Sequence, residues 1–175
     1  MKRVTDILQP WNDFSSISDE TLQVAADRGQ LVHLCCAALL NGLWMPTIPD
    51  SIAGYIESWQ IWHNHNVKEV ISVEGEFVDK GLGIMGHPDA VILNYQNQIV
   101  LPDWKTPELK SKTWPLQIAA YVHLWQKKTG RKVARWGALQ LKKDGSTPHW
   151  EEYKDYLQYF AVFLSCKTAH DYFKG

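Results

Sequence analysis

The sequence predicts a mixed fold, α/β or α+β, with a central sheet covered by helices. Three observations lead there. The chain has 175 residues, 45% of them hydrophobic and 21% charged, enough for one well-filled core and too few for two. Its apolar residues switch between helical spacing and short β-branched runs, in the order helix, helix, strand, strand, strand, helix, strand, helix, an order suited to a sheet with helices on its faces. No repeat and no Gly/Ser- or Pro-rich linker divides it, so residues 1–175 are read as one domain.

The elements follow in order. Residues 1–17 offer no sustained periodicity and read as irregular. Ser18, followed by Asp19, Glu20 and Thr21, is an N-cap signature. From there Leu22, Ala25, Ala26, Gly29, Val32, His33, Cys36, Ala37 and Leu40 recur at helical spacing, and Asn41-Gly42 ends the run. A second helix starts near Pro49-Asp50-Ser51 and lines up Ile52, Tyr55, Ile56, Trp59 and Trp62. Val67 to Val78 is rich in β-branched residues and reads as a strand, with Gly81, Gly83 and Gly86 as a turn. Asp89–Tyr95 and Gln98–Trp104 read as two strands joined at Asn94–Asn97, apolar enough to be buried on both faces. Thr113–Lys128 is an amphipathic helix with Pro115 in its first turn and Gly130 after its end. Val133–Leu141 reads as a strand closed by Lys143-Asp144-Gly145, and Trp150–Phe173 as a final helix.

Composition excludes several classes. Net charge is −1, so neither a global basic field nor an acidic tail is present. The balance is uneven, however: Lys105 to Lys143 carries ten Lys or Arg against one acid, Glu108, leaving the remainder acidic. No apolar run reaches the ~18 residues of a membrane span. Cys35, Cys36 and Cys166 are an odd number without a Cys-x-x-Cys, a poor basis for disulfides, a zinc ribbon or a four-cysteine cluster. The opening stretch lacks the apolar core of a signal peptide. A reducing cytoplasm is the expected compartment.

The chemistry concentrates in Gly86-His87-Pro88-Asp89 and Asp103-Trp104-Lys105-Thr106. Asp103 and Lys105, two apart on a strand, point to one face. A turn at 94–97 returns the chain, so Asp89 and Asp103 converge at one end of the sheet with Lys105 beside them. Two carboxylates in close approach do not both stay ionised without a cation. Hard oxygen donors suit Mg²⁺ or Mn²⁺, which keep waters and bind phosphate. A nearby lysine orients or deprotonates an attacking water and neutralises developing charge. The bland alternative for Asp-x-Lys is a surface ion pair worth ~0–1 kcal/mol. Arg28-Gly29-x-x-x-His33 on the first long helix, and Gln117 and Tyr121 four apart on the helix after Lys105, point to more than that.

In their order, Arg-Gly-x-x-x-His, Gly-x-x-Asp, Asp-x-Lys-Thr and Gln-x-x-x-Tyr resemble the PD-(D/E)xK nuclease superfamily, in its RecB/Cas4-like exonuclease branch, over Arg28 to about Gly145. The resemblance implies a restriction-endonuclease-like α/β core with a central mixed sheet, and a stand-alone, phage-type or bacterial enzyme that hydrolyses DNA phosphodiester bonds from a free end, single- or double-stranded. It implies Asp89 and Asp103 as metal carboxylates, His33 and the Trp104 carbonyl as further ligands of Mg²⁺ or Mn²⁺, and Lys105 as the catalytic lysine. Gln117 and Tyr121 would position DNA or the lysine, and Arg28 would touch the phosphate backbone. Glu74 sits where some relatives carry an acid. The expected setting is bacterial or phage-infected cytoplasm, in recombination, repair or phage replication, with a homo-oligomer or a recombination protein as open partners and no membrane. Two departures stand out. The cysteines do not match the cluster-bearing relatives, so no iron–sulfur cluster is expected. Pro102 precedes Asp103 and lacks the N–H a central strand uses, so a bulge or a less central strand is expected there.

Two motifs are decoys. His63-Asn64-His65 lies on a helix, where residues two apart diverge. Gly81-x-Gly83-x-x-Gly86 precedes a strand instead of opening a helix. Among nine Trp residues, Trp59, Trp62, Trp125 and Trp136 are assigned to the core. Trp44 and Trp114 lie near element ends, where packing competes with stacking on single-stranded bases. Lys110, Lys112 and Trp114 form a basic-aromatic loop, the favoured nucleic-acid contact. Two rivals are a catalytically silent DNA-binding protein with the same fold, and an endonuclease selecting structure or sequence.

Overall fold

A computed structural model describes residues 1–13, 15–43 and 47–174; Trp44 lies outside them. Helices α1 (Val4–Leu8), α2 (Asp19–Leu40), α3 (Asp50–Asn66), α4 (Trp114–Thr129) and α5 (Tyr156–Lys174) accompany eight strands. These are β1 (Lys2–Arg3), β2 (Glu69–Val73), β3 (Phe77–Asp79), β4 (Ile84–Gly86), β5 (Ala90–Leu93), β6 (Ile99–Lys105), β7 (Arg135–Gln140) and β8 (His149–Glu152). The central sheet runs β2-β5-β6-β7-β8, and a small second sheet runs β1-β4-β3. Both are mixed: β6–β7 and β1–β4 are parallel, the other pairs antiparallel.

The strand period of two sorts the central sheet into two faces. Leu101, Val91, Trp136 and Ala138 join α1, α4 and α5 in one core. Ala90, Ile92, Val100, Trp104 and Leu139 join α2 and α3 in the other. The sequence signals explain the helix ends. Ser18 Oγ accepts the Thr21 amide at 3.2 Å; Gly130, at φ +69°, closes α4 as its left-handed cap.

Several elements differ from the sequence expectation. Residues 1–17 are not irregular: Val4, Ile7 and Leu8 lie at helical spacing and are buried in the first core. The run is too short to announce itself, and packing alone supports it. The strand expected over 67–78 is two strands in different sheets, broken where Glu74 adopts φ +48°. The Gly81–Gly86 turn contains a strand, β4, whose Gly86 pairs with Phe77. The final helix starts at Tyr156, not Trp150, because His149–Glu152 pairs with β7 as an edge strand.

Pro102 neither bulges β6 nor moves it from the centre; it pairs in register with Gly137 of β7. Its nitrogen faces the other side, shared by the Val100 and Trp104 amides. There the β5 ladder reaches only Val100, so no ladder bond is lost. The seam between β5 and β6 opens at this point, and the candidate site occupies the opening.

Candidate metal centre

Asp103 is buried, on the α4 face of β6 with Lys105. The Lys105 ammonium makes a buried ion pair with Asp103 Oδ2. Asp89, just before β5, is 5% exposed. Its Oδ2 accepts the Trp104 amide across the open seam. That single bond fixes the approach of the two carboxylate-bearing segments.

Helix α2 brings His33 from the opposite face. Its Nδ1 lies 3.0 Å from Asp89 Oδ1 and its Nε2 3.0 Å from the Trp104 carbonyl. Both partners are acceptors, so the ring is held as an imidazolium donating from both nitrogens. Burial opposes that charge, but the Asp89 carboxylate, with Asp103 behind it, raises the His33 pKa to about 9. Glu74 follows β2, and its amide donates to the Asp89 carbonyl at 3.0 Å. Although it is exposed, partial desolvation and then repulsion from Asp89 raise its carboxyl to about 7. Desolvation likewise raises Asp103, against the pull of Lys105.

His33, Glu74 and Asp89 each offer one donor atom, all within 4.8 Å of one another. Glu74 reaches this place through a left-handed backbone that only Gly and a few polar residues adopt readily. Strain of this kind persists where surrounding contacts hold it. An open cleft of about 490 Å³, lined by Gly29, Gln30, His33, Leu34 and Glu74, leads to the centre.

On the α4 side, Gln117 Oε1 lies 3.1 Å from Lys105 Nζ, and Gln117 Nε2 donates to the Tyr121 hydroxyl at 3.2 Å. Tyr121 is buried, and burial raises its phenol strongly. It therefore backs Gln117 from within the core and faces no solvent. Of the sequence-derived residues, His33, Asp89, Asp103, the Trp104 carbonyl, Lys105, Gln117 and Tyr121 come together, with Glu74 beside them.

The outer residues are different. Trp114 is not an exposed stacking surface: it is the first residue of α4, 6% exposed, with its side chain in the core beside α1. Lys110 pairs with Glu151 at 2.8 Å. Lys112 is exposed. Arg28 lies over the Tyr55 ring at 5.7 Å, with its Nε buried and without an acceptor. Tyr55 walls a second cleft of about 630 Å³, beyond Thr106 and partly lined by Gln140, Lys142 and Lys143. The sequence reading missed that cleft, because Lys142 and Lys143 read only as the end of a strand. The decoy histidines stay apart from the centre: His63 and His65 are at the solvent-facing end of α3.

The sequence matches no family model, and no curated protein matches it. Distantly similar solved structures include these two. One is SSO0001, at 15% identity and a TM-score of 0.42, over 96% of this chain and 75% of that one. The other, named "Putative exonuclease" and from Eubacterium rectale, has 12% identity and a TM-score of 0.35 over 76% of this chain and 73% of that one. Likenesses this distant carry no functional argument, which rests on the residues themselves. Among the described residues, no helix is long and apolar enough to cross a membrane.

Proposed function

We propose that the protein is a divalent-metal-dependent deoxyribonuclease that hydrolyses phosphodiester bonds from a DNA end. One observation carries the reading: two buried carboxylates and a lysine meet a histidine and a third carboxyl group where the central sheet opens. Three convergent donor atoms from His33, Glu74 and Asp89, two of them carboxylate oxygens, suit a hard cation, and carboxyl groups this close together call for one.

His33, Asp89, Asp103 and the Trp104 carbonyl would hold Mg²⁺ or Mn²⁺, with Glu74 as a further carboxylate. Bound there, the cation supplies charge neutralisation at the phosphate and a water of lowered pKa. The chain's own groups supply the rest. Lys105 presents a positive charge to the phosphate where negative charge develops. Gln117, backed by Tyr121, fixes the direction of that ammonium. Arg28 and Lys112 would contact the phosphate backbone of the strand.

The test compares wild type with Asp103→Ala on linear DNA and on a closed circle, with Mn²⁺ and with EDTA. The reading expects metal-dependent loss of the linear substrate only, abolished in the variant with its fold intact. Full activity in Asp103→Ala would overturn it, and cutting of the circle would replace the exonuclease with an endonuclease.

A further inference from the structure

The Lys105 ammonium is held by more than its carboxylate partner. It lies against the first turn of α4, beside Trp114 and Gln117. A helix N-terminus carries partial positive charge and repels a cation. The side chain is only 12% exposed, so water does little to relieve this. Three groups oppose the repulsion. One is Asp103, and the second is the Gln117 carbonyl. The third is the ring of Trp114, whose centroid is 5.7 Å from Nζ, within the range where an aromatic face attracts a cation.

We propose that Trp114 is a positioning residue for the reaction, holding the Lys105 ammonium through its indole face at the start of α4. The inference rests on the nuclease reading for its consequence, but its geometry can be tested without it. Asp103 is also a candidate metal ligand, so its carboxylate is shared between two tasks. Gln117 and Trp114 have one task each at this lysine. Trp114 is well fixed for it: its side chain is packed into the first core, and Pro115 presets the backbone of the helical turn it begins. Leucine at this position would fill much of the same volume without a π face, and phenylalanine would keep a smaller one.

The experiment uses Trp114→Leu and Trp114→Phe in the full chain, with two readouts. The first is the ¹H–¹³C spectrum of metal-free protein labelled at lysine, with the Lys105 ε-methylene signal assigned by its loss in Lys105→Arg. The inference expects that signal to be displaced by the indole ring current in wild type and to return to the ordinary lysine position in Trp114→Leu. The second is steady-state cleavage of linear DNA. A desolvated cation–π contact predicts a kcat about tenfold lower in Trp114→Leu, with KM and DNA affinity unchanged and substantial recovery in Trp114→Phe.

An undisplaced Lys105 signal in wild type overturns the inference, whether or not Trp114→Leu folds. So does a folded Trp114→Leu with wild-type kcat, or one whose loss lies in KM and DNA affinity, the signature of a base-stacking residue. A displaced signal in a wild-type protein that cuts no DNA would sink the nuclease reading and leave the Trp114–Lys105 contact standing.

Discussion

Binding of a divalent cation should displace a proton from His33, and the structure sets the size of the effect. His33 is clamped as an imidazolium between Asp89 and the Trp104 carbonyl, with its pKa raised to about 9. A metal ligand must be neutral imidazole. At pH 7 that deprotonation lowers affinity by up to about a hundredfold, roughly tenfold for each pH unit below the His33 pKa. The ring is 31% exposed, so solvent screening reduces the expected factor to roughly ten to a hundred. Affinity for Mn²⁺ should therefore climb with pH between 7 and 9, with a slope of log K approaching one. Below about 7 the slope should steepen as Glu74 takes up a proton. The metal-free fold should show the opposite trend. The clamp stabilises it fully below the ordinary histidine pKa of about 6.5, and that contribution is lost as pH rises through about 9. The assay is calorimetric titration of Mn²⁺ into metal-free protein, in buffers of different ionisation enthalpy, which counts released protons. Near pH ~8 the count should be about one, falling toward zero in His33→Ala. A pH-independent affinity with no proton release would refute the assignment of His33 as a ligand.

Asp79 should govern acid stability. It is buried and accepts from His123 Nε2 at 2.8 Å, Lys127 Nζ at 2.7 Å and the Leu82 amide at 3.1 Å. Burial works against its charge, but these donors hold its carboxyl well below the usual carboxylate range. A depressed carboxyl gives stability that is present above about pH 4 and lost as pH falls below it. Asp79→Asn should lower stability at neutral pH by about 2–3 kcal/mol and flatten the acid limb, as read by urea unfolding across pH; an unchanged acid limb would count against this account. A Cβ at Gly86 would lie 2.6 Å from Tyr121 Cε1. Gly86→Ala should therefore cost about 1–3 kcal/mol by overpacking and depress activity further by shifting the Tyr121–Gln117 support of Lys105. Equal activity in a folded Gly86→Ala protein would show that this support does not matter. At Gly54 a Cβ would meet the Lys143 backbone carbonyl at 1.8 Å. Gly54→Ala should unfold at markedly lower denaturant or push the 142–145 loop off α3, which hydrogen exchange of that loop would report.

The legible parts of the fold were those with long periodic runs or explicit punctuation. Helices α2 and α4 carry Ser18, Asn41-Gly42, Pro115 and Gly130 at their ends, and these signals act locally. The short pieces depend on tertiary contact. Helix α1 is five residues long and exists because Val4, Ile7 and Leu8 fill a core built by α4 and α5. Strands β4 and β8 are three and four residues long, each closing back on the strand before it, and neither a glycine-rich stretch nor an aromatic-rich one signals them. The break at Glu74 is a backbone event in a β-branched run, visible only once Asp89 supplies the acceptor for its amide.

The candidate site was more legible than the fold around it. Its residue types, spacing and order are fixed by chemistry, and the hairpin between Asp89 and Asp103 follows from two apolar runs and a turn. For Trp114 the sequence weighed packing against base stacking, and the structure shows packing. A tryptophan near lysines at the start of a helix looks like a surface feature, yet the sequence does not say which way its ring turns. Here it turns inward, packed in the first core with the Lys105 ammonium over its ring. The Pro102 expectation failed. Sequence shows the missing N–H but not which neighbouring strand that position faces.

The central claim is that Lys105 and the proposed metal ligands beside it cut DNA from an end. The most direct measurement is digestion of end-labelled linear single- and double-stranded DNA with Mn²⁺ or Mg²⁺, with an EDTA control and Lys105→Ala beside wild type. The account predicts metal-dependent shortening from an end by the wild type and its loss in the variant, with DNA binding retained. Intact substrate in every lane, with DNA bound by the wild type, would contradict it and leave a DNA-binding protein that does not cut.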